Sequence, residues 1–305
     1  MKLSEIFCTV FIVFLISCHR KEEKQPVISD LLIEDFDFAK DAVFDTLNVP
    51  CHLKEIIKDI SSLNVYETEQ GEKGETGTPA NFKNFQKLYN KASEQELLSL
   101  TNNKNSVVAV YAAIGLLEKN NKYTVPVFQK IFNRKGTMHI KNGCLQSDDG
   151  PAEPLYWKYY NHLKPEQLTS DQDLKQLDSM IVFLPGASEL IFTTALRNRT
   201  YSAGLKKQIA KQAFENHRTP ALLYLNSWHK KEYSDQVQQE LIRLIENDSV
   251  YADHKREYLL ILLSFNNKEN KKTLLNYIKK NSLLKEDRQI RMQLENNGIF
   301  SEDFN

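Results

Sequence analysis

The chain lacks an excess of either charge: 40 lysines and arginines stand against 40 aspartates and glutamates. A dedicated nucleic-acid binder needs a clustered basic face to recruit phosphates, so that class is set aside and no nucleic-acid partner is expected. Long hydrophobic runs are lacking too. The most apolar stretch, Ile6 to Ile16, gives out at Ser17, Cys18, His19, Arg20 and Lys21, whereas a membrane-spanning helix needs about 20 apolar residues. Strand-like alternation is nearly absent, so the expected fold class is all-α.

Motifs that carry chemistry are equally sparse. The seven histidines, His19, His52, His139, His162, His217, His229 and His254, form no His-x-x-x-His or His-Glu-x-x-His pair. His229 and Glu232 are three apart, but Lys230 and Lys231 beside them fit a solvated polar face better than a metal site. Asp148 and Asp149 precede Gly150 and Pro151 and read as a turn, without the ligand spacing of a calcium loop. No Gly-x-Ser-x-Gly elbow occurs, and Ser188 reads as a helix cap. Gly71, Gly74 and Gly77 lack phosphate-loop spacing. The expectation is therefore no metal, no cofactor and no catalytic residue.

What is present begins at the N-terminus. Lys2 followed by the short apolar run and a small residue before a cysteine has the three zones of an export signal. Leu15-Ile16-Ser17-Cys18 resembles a lipobox, the motif of bacterial lipoproteins. The resemblance implies cleavage after Ser17, lipid on Cys18, and a membrane partner reached through that anchor. More than one acyl chain would make it stable, at about 0.8 kcal/mol per buried methylene. His19 is not the aspartate that retains lipoproteins in the inner membrane, which favours the outer membrane of the envelope. The tract Lys21-Glu22-Glu23-Lys24 fits a spacer better than a surface address. With Cys8 removed and Cys18 acylated, Cys51 and Cys144 remain, either bridged in an oxidising compartment or kept as two buried, unpaired thiols.

The organisation expected is a signal peptide over 1–17, a charged tether over 18–29, an N-terminal helical segment over 30–66 and a glycine-rich polar loop over 67–79. Paired helices over 80–134, an irregular aromatic-rich insertion over 135–169, helical repeats over 170–298 and a tail over 299–305 complete it. In 30–66, Leu32, Phe36, Ala39, Val43, Phe44 and Leu47 form one helical stripe, and Leu53, Ile56, Ile57, Ile60 and Leu63 a second. Beyond Pro79 the periodicity predicts helices over 80–90, 94–101, 106–119, 124–133, 171–183, 188–197, 202–215, 220–230, 235–247, 251–264, 268–280 and 285–297. Ser93 with Glu96 reads as a capping box, Thr219-Pro220 as a cap, and Gly298 as a C-terminal stop.

A repeat underlies the C-terminal half. Tyr201, Ser202, Leu205, Ile209 and Ala213 recur thirty-two residues later as Tyr233, Ser234, Val237, Leu241 and Ile245, with a looser copy at Leu274, Leu275 and Ile278. That period predicts an α-solenoid, in which no helix pair buries its apolar face alone. Residues 105–116 resemble the second helix of a HEAT-like repeat: Val108, Ala112, Ala113 and Leu116 match, while Asn105, Ala109 and Gly115 replace its Asp, Arg and Ala. The resemblance implies antiparallel helix pairs and a binding surface, and no chemistry. Tyr156, Trp157, Tyr159 and Tyr160 read either as a core plug or as the anchor of a binding face. The function expected is a non-catalytic scaffold for a protein or peptide. The alternatives are an envelope hydrolase with acidic residues in its groove and a neutralising partner of an envelope-directed toxin.

Overall fold

The computed structural model describes residues 42–71, 77–119, 121–183, 186–247, 252–280, 287–300 and 302. The signal, Cys18, the tether, and Leu32, Phe36 and Ala39 of the first stripe lie outside them. The described chain is predominantly helical. α1 (Lys54–Leu63) leads into the short strand β1 (Val65–Glu67), followed by α2 (Ala80–Lys91), α3 (Glu94–Leu100), α4 (Ser106–Lys119) and α5 (Thr124–Phe132). A hairpin of β2 (Met138–Asn142) and β3 (Leu145–Asp149) follows, and then α6 (Ala152–His162). The C-terminal part holds α7 (Gln172–Phe183), α8 (Glu189–Asn198), α9 (Ala203–Phe214), α10 (Thr219–Glu246), α11 (Ala252–Leu263), α12 (Lys268–Lys279) and α13 (Arg288–Asn296).

α4 is the hub of the N-terminal half. Every residue from Ser106 to Leu117 is buried, as a helix without a polar face requires, and α1, α2, α3, α5 and α6 all pack on it. Each leucine or valine so enclosed contributes about 1.5–3 kcal/mol. Gly115 permits the approach of α3: a Cβ there would lie 3.3 Å from the Leu97 side chain and 3.6 Å from Tyr89. In the C-terminal half the contacts run to the next helix and the next but one, with α7 on α8 and α9, α8 on α10, and α10 on α9, α11 and α12. The repeated positions Ile209, Ala213, Val237, Leu241, Ile245, Leu274 and Ile278 are all buried.

Several boundary signals act as the sequence predicts. Ser93 and Glu96 form a reciprocal capping box. At the end of α13, Gly298 takes φ +70°, and the N–H groups of Gly298 and Ile299 donate to the carbonyls of Glu295 and Leu294, both at 2.9 Å. This is the double hydrogen bond of a Schellman stop, and it seats Ile299, the first residue of the expected tail, in the core. Thr219 differs: its hydroxyl lies 3.1 Å from that of Tyr258 and caps nothing. Residues 219–246, α10, are two helices joined across a kink, as the two expected there imply, with His229 and Tyr233 leaving helical geometry at and just before the expected gap.

Three expectations are corrected. Val43, Phe44 and Leu47 are not helical. Their segment is drawn out by long-range bonds: Asn105 Nδ2 donates to the Val43 carbonyl, Asn103 Nδ2 to the Asp45 carbonyl, and the Lys104 N–H to the Asp45 carboxylate. The segment 135–169 is not irregular, since it folds as the β2–β3 hairpin and α6. Asp148 and Asp149 are the last residues of β3, not a turn. The sheet order is β1-β2-β3, with Val65 to Glu67 parallel to His139 to Lys141 and β2 antiparallel to β3. The start of the expected polar loop is drawn to this sheet, with the Thr68 N–H donating to the Lys141 carbonyl and Gly143 N–H to that of Gln70.

Asn105 explains its own departure from the HEAT-like aspartate. Its Oδ1 accepts from the Val108 N–H at 3.1 Å, as an aspartate would, but its Nδ2 also donates to the Val43 carbonyl at 3.2 Å and Asn64 Oδ1 at 3.0 Å. Asn105→Asp keeps the cap, loses both donor bonds and sets a buried carboxylate against two oxygens. The expected loss is about 2–3 kcal/mol, read as a lower urea midpoint at unchanged slope.

Candidate functional site

A cleft of about 380 Å³ opens where the two halves of the chain meet. One wall is the end of α5 and the loop after it, residues 132–136; a second is the entry to α6, residues 150–153; the third is the entry to α8, residues 186–188 with Ile191. Gly136 takes φ +79° as the chain leaves α5, a conformation that glycine adopts without strain. At Gly150 and Gly186 an added Cβ would meet open space.

Glu153 is the unusual residue of this cleft. It stands in the first turn of α6, only 5% exposed. Its Oε1 accepts the Trp157 indole N–H at 2.9 Å, and its Oε2 accepts the Ser188 hydroxyl. Burial pushes its carboxyl above the ordinary range, the donors on Ser188 and Trp157 pull it back, and Asp149 pushes it up further. Ser188 is the N-cap of α8, as expected, accepting from the Ile191 N–H at 3.4 Å. Across the cleft Arg134 is fixed by bonds to Ser106 Oγ and to the carbonyls of Asn103 and Lys104, while Lys135 is exposed. Arg134 and Lys135 line the cleft together with the first turns of α6 and α8, but the Arg134 guanidinium is turned to the start of α4, away from the Glu153 carboxyl and the Ser188 hydroxyl.

The aromatic set predicted from the sequence lies directly behind this cleft, on α6. Tyr156 and Tyr159 are buried, and Trp157 and Tyr160 are partly buried against the same core. The Trp157 ring meets those of Tyr156 and Tyr160 edge-on at 5.5 Å, and Tyr156 reaches Phe128 of α5 at 6.4 Å. Tyr156 donates to Asp178 Oδ1 at 2.8 Å and Tyr159 to Asp171 Oδ1 at 2.9 Å. Tyr156 and Tyr159 thus join α6 to α5 and to the start of α7 as part of the core, while Trp157 and Tyr160 stand half-buried beside them.

Asp178 is wholly buried on α7 and accepts from Tyr156, from Asn198 at 2.9 Å and from Arg199 at 2.8 Å. Burial raises its carboxyl pKa, and these three donors oppose the rise. Cys51 and Cys144 are both exposed free thiols, neither bridged nor buried. His229, partly buried in the kink of α10, has a buried Nε2 without a hydrogen-bond partner. Among the described residues, no three histidine, cysteine, aspartate or glutamate side chains gather to hold a metal ion. No described helix is long and apolar enough to cross a membrane.

Sequence reasoning found Ser188 only as a cap and did not single out Glu153. The signal available was a lone acidic residue inside Gly150-Pro151-Ala152-Glu153-Pro154-Leu155-Tyr156-Trp157, a run otherwise without charge. Comparison with protein-family models, curated proteins and solved structures finds no match to this chain.

The raised carboxyl pKa of Glu153 fixes a sign. In the unfolded chain the group ionises near 4.5, and in the folded protein it ionises at higher pH. Its contribution to stability is fully present below pH 4.5 and is lost as pH rises through the folded value. Glu153→Gln has no such titration. The difference in melting temperature, variant minus wild type, is expected to grow in the variant's favour as pH is raised from 4 toward neutrality. A difference that stays flat or shrinks with rising pH contradicts the assignment.

Proposed function

We propose that this chain is a lipid-anchored protein of the bacterial envelope, with the outer membrane favoured, and that it holds a peptide segment of a partner protein in the cleft between α5, α6 and α8. Its helices form an α-solenoid of HEAT-like antiparallel pairs, and lipid on Cys18 tethers that body to the membrane. The observation that carries the binding reading is the cleft itself. It lies at the junction of the two helical halves, it carries both charges, and glycines at its rim let a ligand backbone approach closely.

The repeat supports the solenoid, since equivalent apolar positions thirty-two residues apart face the same core and each helix reaches its second neighbour. The lipobox-like residues 15–18 support the anchor. A scaffold of this kind needs its partner delivered to one surface, and tethering raises the effective concentration of any ligand held at the same membrane.

Gly186→Phe tests the cleft, because Gly186 is exposed and a side chain there enters open space rather than the core. Partner capture from solubilised membranes, scored after cross-linking, is expected to fall at least about tenfold, the equivalent of ~1.4 kcal/mol, with the melting temperature unchanged. Capture equal to wild type would remove the cleft from the proposal. In parallel, the N-terminal peptide of the membrane-extracted protein is expected to begin at Cys18 and to carry lipid on it; an unmodified Cys18 thiol would refute the anchor.

A further inference from the structure

Ser188 and Glu153 stand in the relation of a nucleophile to its base. Ser188 is partly exposed in the cleft, Glu153 is buried behind it, and the two are joined by a hydrogen bond from hydroxyl to carboxylate. The second carboxylate oxygen is occupied by the Trp157 indole, which leaves Oε2 directed at Ser188. A capping role alone explains less than this. The bond from the Ile191 N–H is long, at 3.4 Å, and uses only a lone pair of Ser188, so the cap requires neither the O–H nor a carboxyl withdrawn from water to receive it. A nucleophile held by a base that is itself held by a third group is the general arrangement of covalent acyl transfer.

We propose that Ser188 is an acyl-accepting nucleophile activated by Glu153, acting on the carbonyl of a peptide or ester. The proposal rests on the same cleft as the binding reading and adds a reaction to it. Ser188 Oγ bonds to the carbonyl carbon as its proton passes to Glu153 Oε2; the bond from that carbon to the leaving oxygen or nitrogen breaks, and the leaving group takes the proton. Water then adds to the acyl carbon, its proton returns through Glu153 to Ser188 Oγ, and a free acid departs. No oxidant or metal enters this balance. The oxyanion forms beside the first turn of α8, whose first N–H groups lack intrahelical acceptors.

The test uses the full chain and a fluorophosphonate probe, in which Oγ displaces fluoride from phosphorus. Intact mass and peptide mapping are expected to place one adduct on Ser188, absent in Ser188→Ala and in Ser188→Gly, the latter keeping a residue that N-caps tolerate well. Glu153→Gln is expected to slow labelling about 100-fold or more, with unchanged circular dichroism. A natively folded wild type that acquires no adduct on Ser188 overturns the proposal, as does labelling of Glu153→Gln at the wild-type rate. Measured on the same samples, partner capture separates the two readings: capture without labelling leaves the docking cleft and ends the chemistry, and labelling without capture does the reverse.

Discussion

The carboxylate of Asp178 is the point on which the arrangement of the middle of this molecule depends. Wholly buried, it gathers donors from three directions: Tyr156 on α6, Asn198 at the end of α8, and Arg199 just beyond it. Arg199 carries the linkage onward, donating to the carbonyls of Leu168 and Thr169 in the α6–α7 connection. An ion pair this deep adds little net stability over apolar packing, yet removing one partner costs about 3–5 kcal/mol because a charge is left alone. Its effect is therefore directional. It admits only an arrangement in which α6, α7 and the end of α8 present these donors together.

Other buried polar groups work in the same way along the chain. Asn105 joins the start of α4 to the segments holding Val43 and Asn64. Asn81 donates through Nδ2 to the Ile60 and Val65 carbonyls and through its N–H to the Glu67 carboxylate. In the C-terminal half Gln238 accepts from both Asn267 and Asn270. The HEAT-like pattern that residues 105–116 resemble has Asp and Arg where this chain has Asn105 and Ala109. The buried links between segments are made here by amides. An amide donates and accepts at once, so it can join two carbonyl-bearing segments without a cation between them.

These linkages mark the boundary between what was legible in the sequence and what was not. Helices with a repeating apolar stripe are legible nearly to the residue, since their signal is local: 80–90 is expected and Ala80–Lys91 observed. The sheet was invisible for the opposite reason. β1 is three residues long and finds its partner β2 more than seventy positions away, while β3 is exposed along most of its length and shows no alternation. Residues 42–47 carry a good helical stripe, yet bonds from Asn103, Lys104 and Asn105 override it. α6 was hidden by its prolines. Pro151 and Pro154 read as breakers, but at the entry and in the first turn of a helix a missing N–H has no intrahelical acceptor to lose.

The candidate site was least legible of all, because its two defining residues are thirty-five positions apart and each has an ordinary local explanation. Ser188 satisfies the rule for a helix cap, and Glu153 satisfies the preference for an acid in a first turn. Only the packing of α6 against α7 and α8 reveals that the acid is enclosed and that the hydroxyl is turned toward it. A first-turn glutamate serving the helix dipole alone gains nothing from being 95% covered, since burial penalises the very charge that the dipole favours. The combination is costly as architecture and useful as chemistry, because a carboxyl raised by burial is a better proton acceptor than one in water. That contrast, rather than any motif, directs attention to Glu153 and Ser188 in a chain whose other carboxylates are mostly solvated.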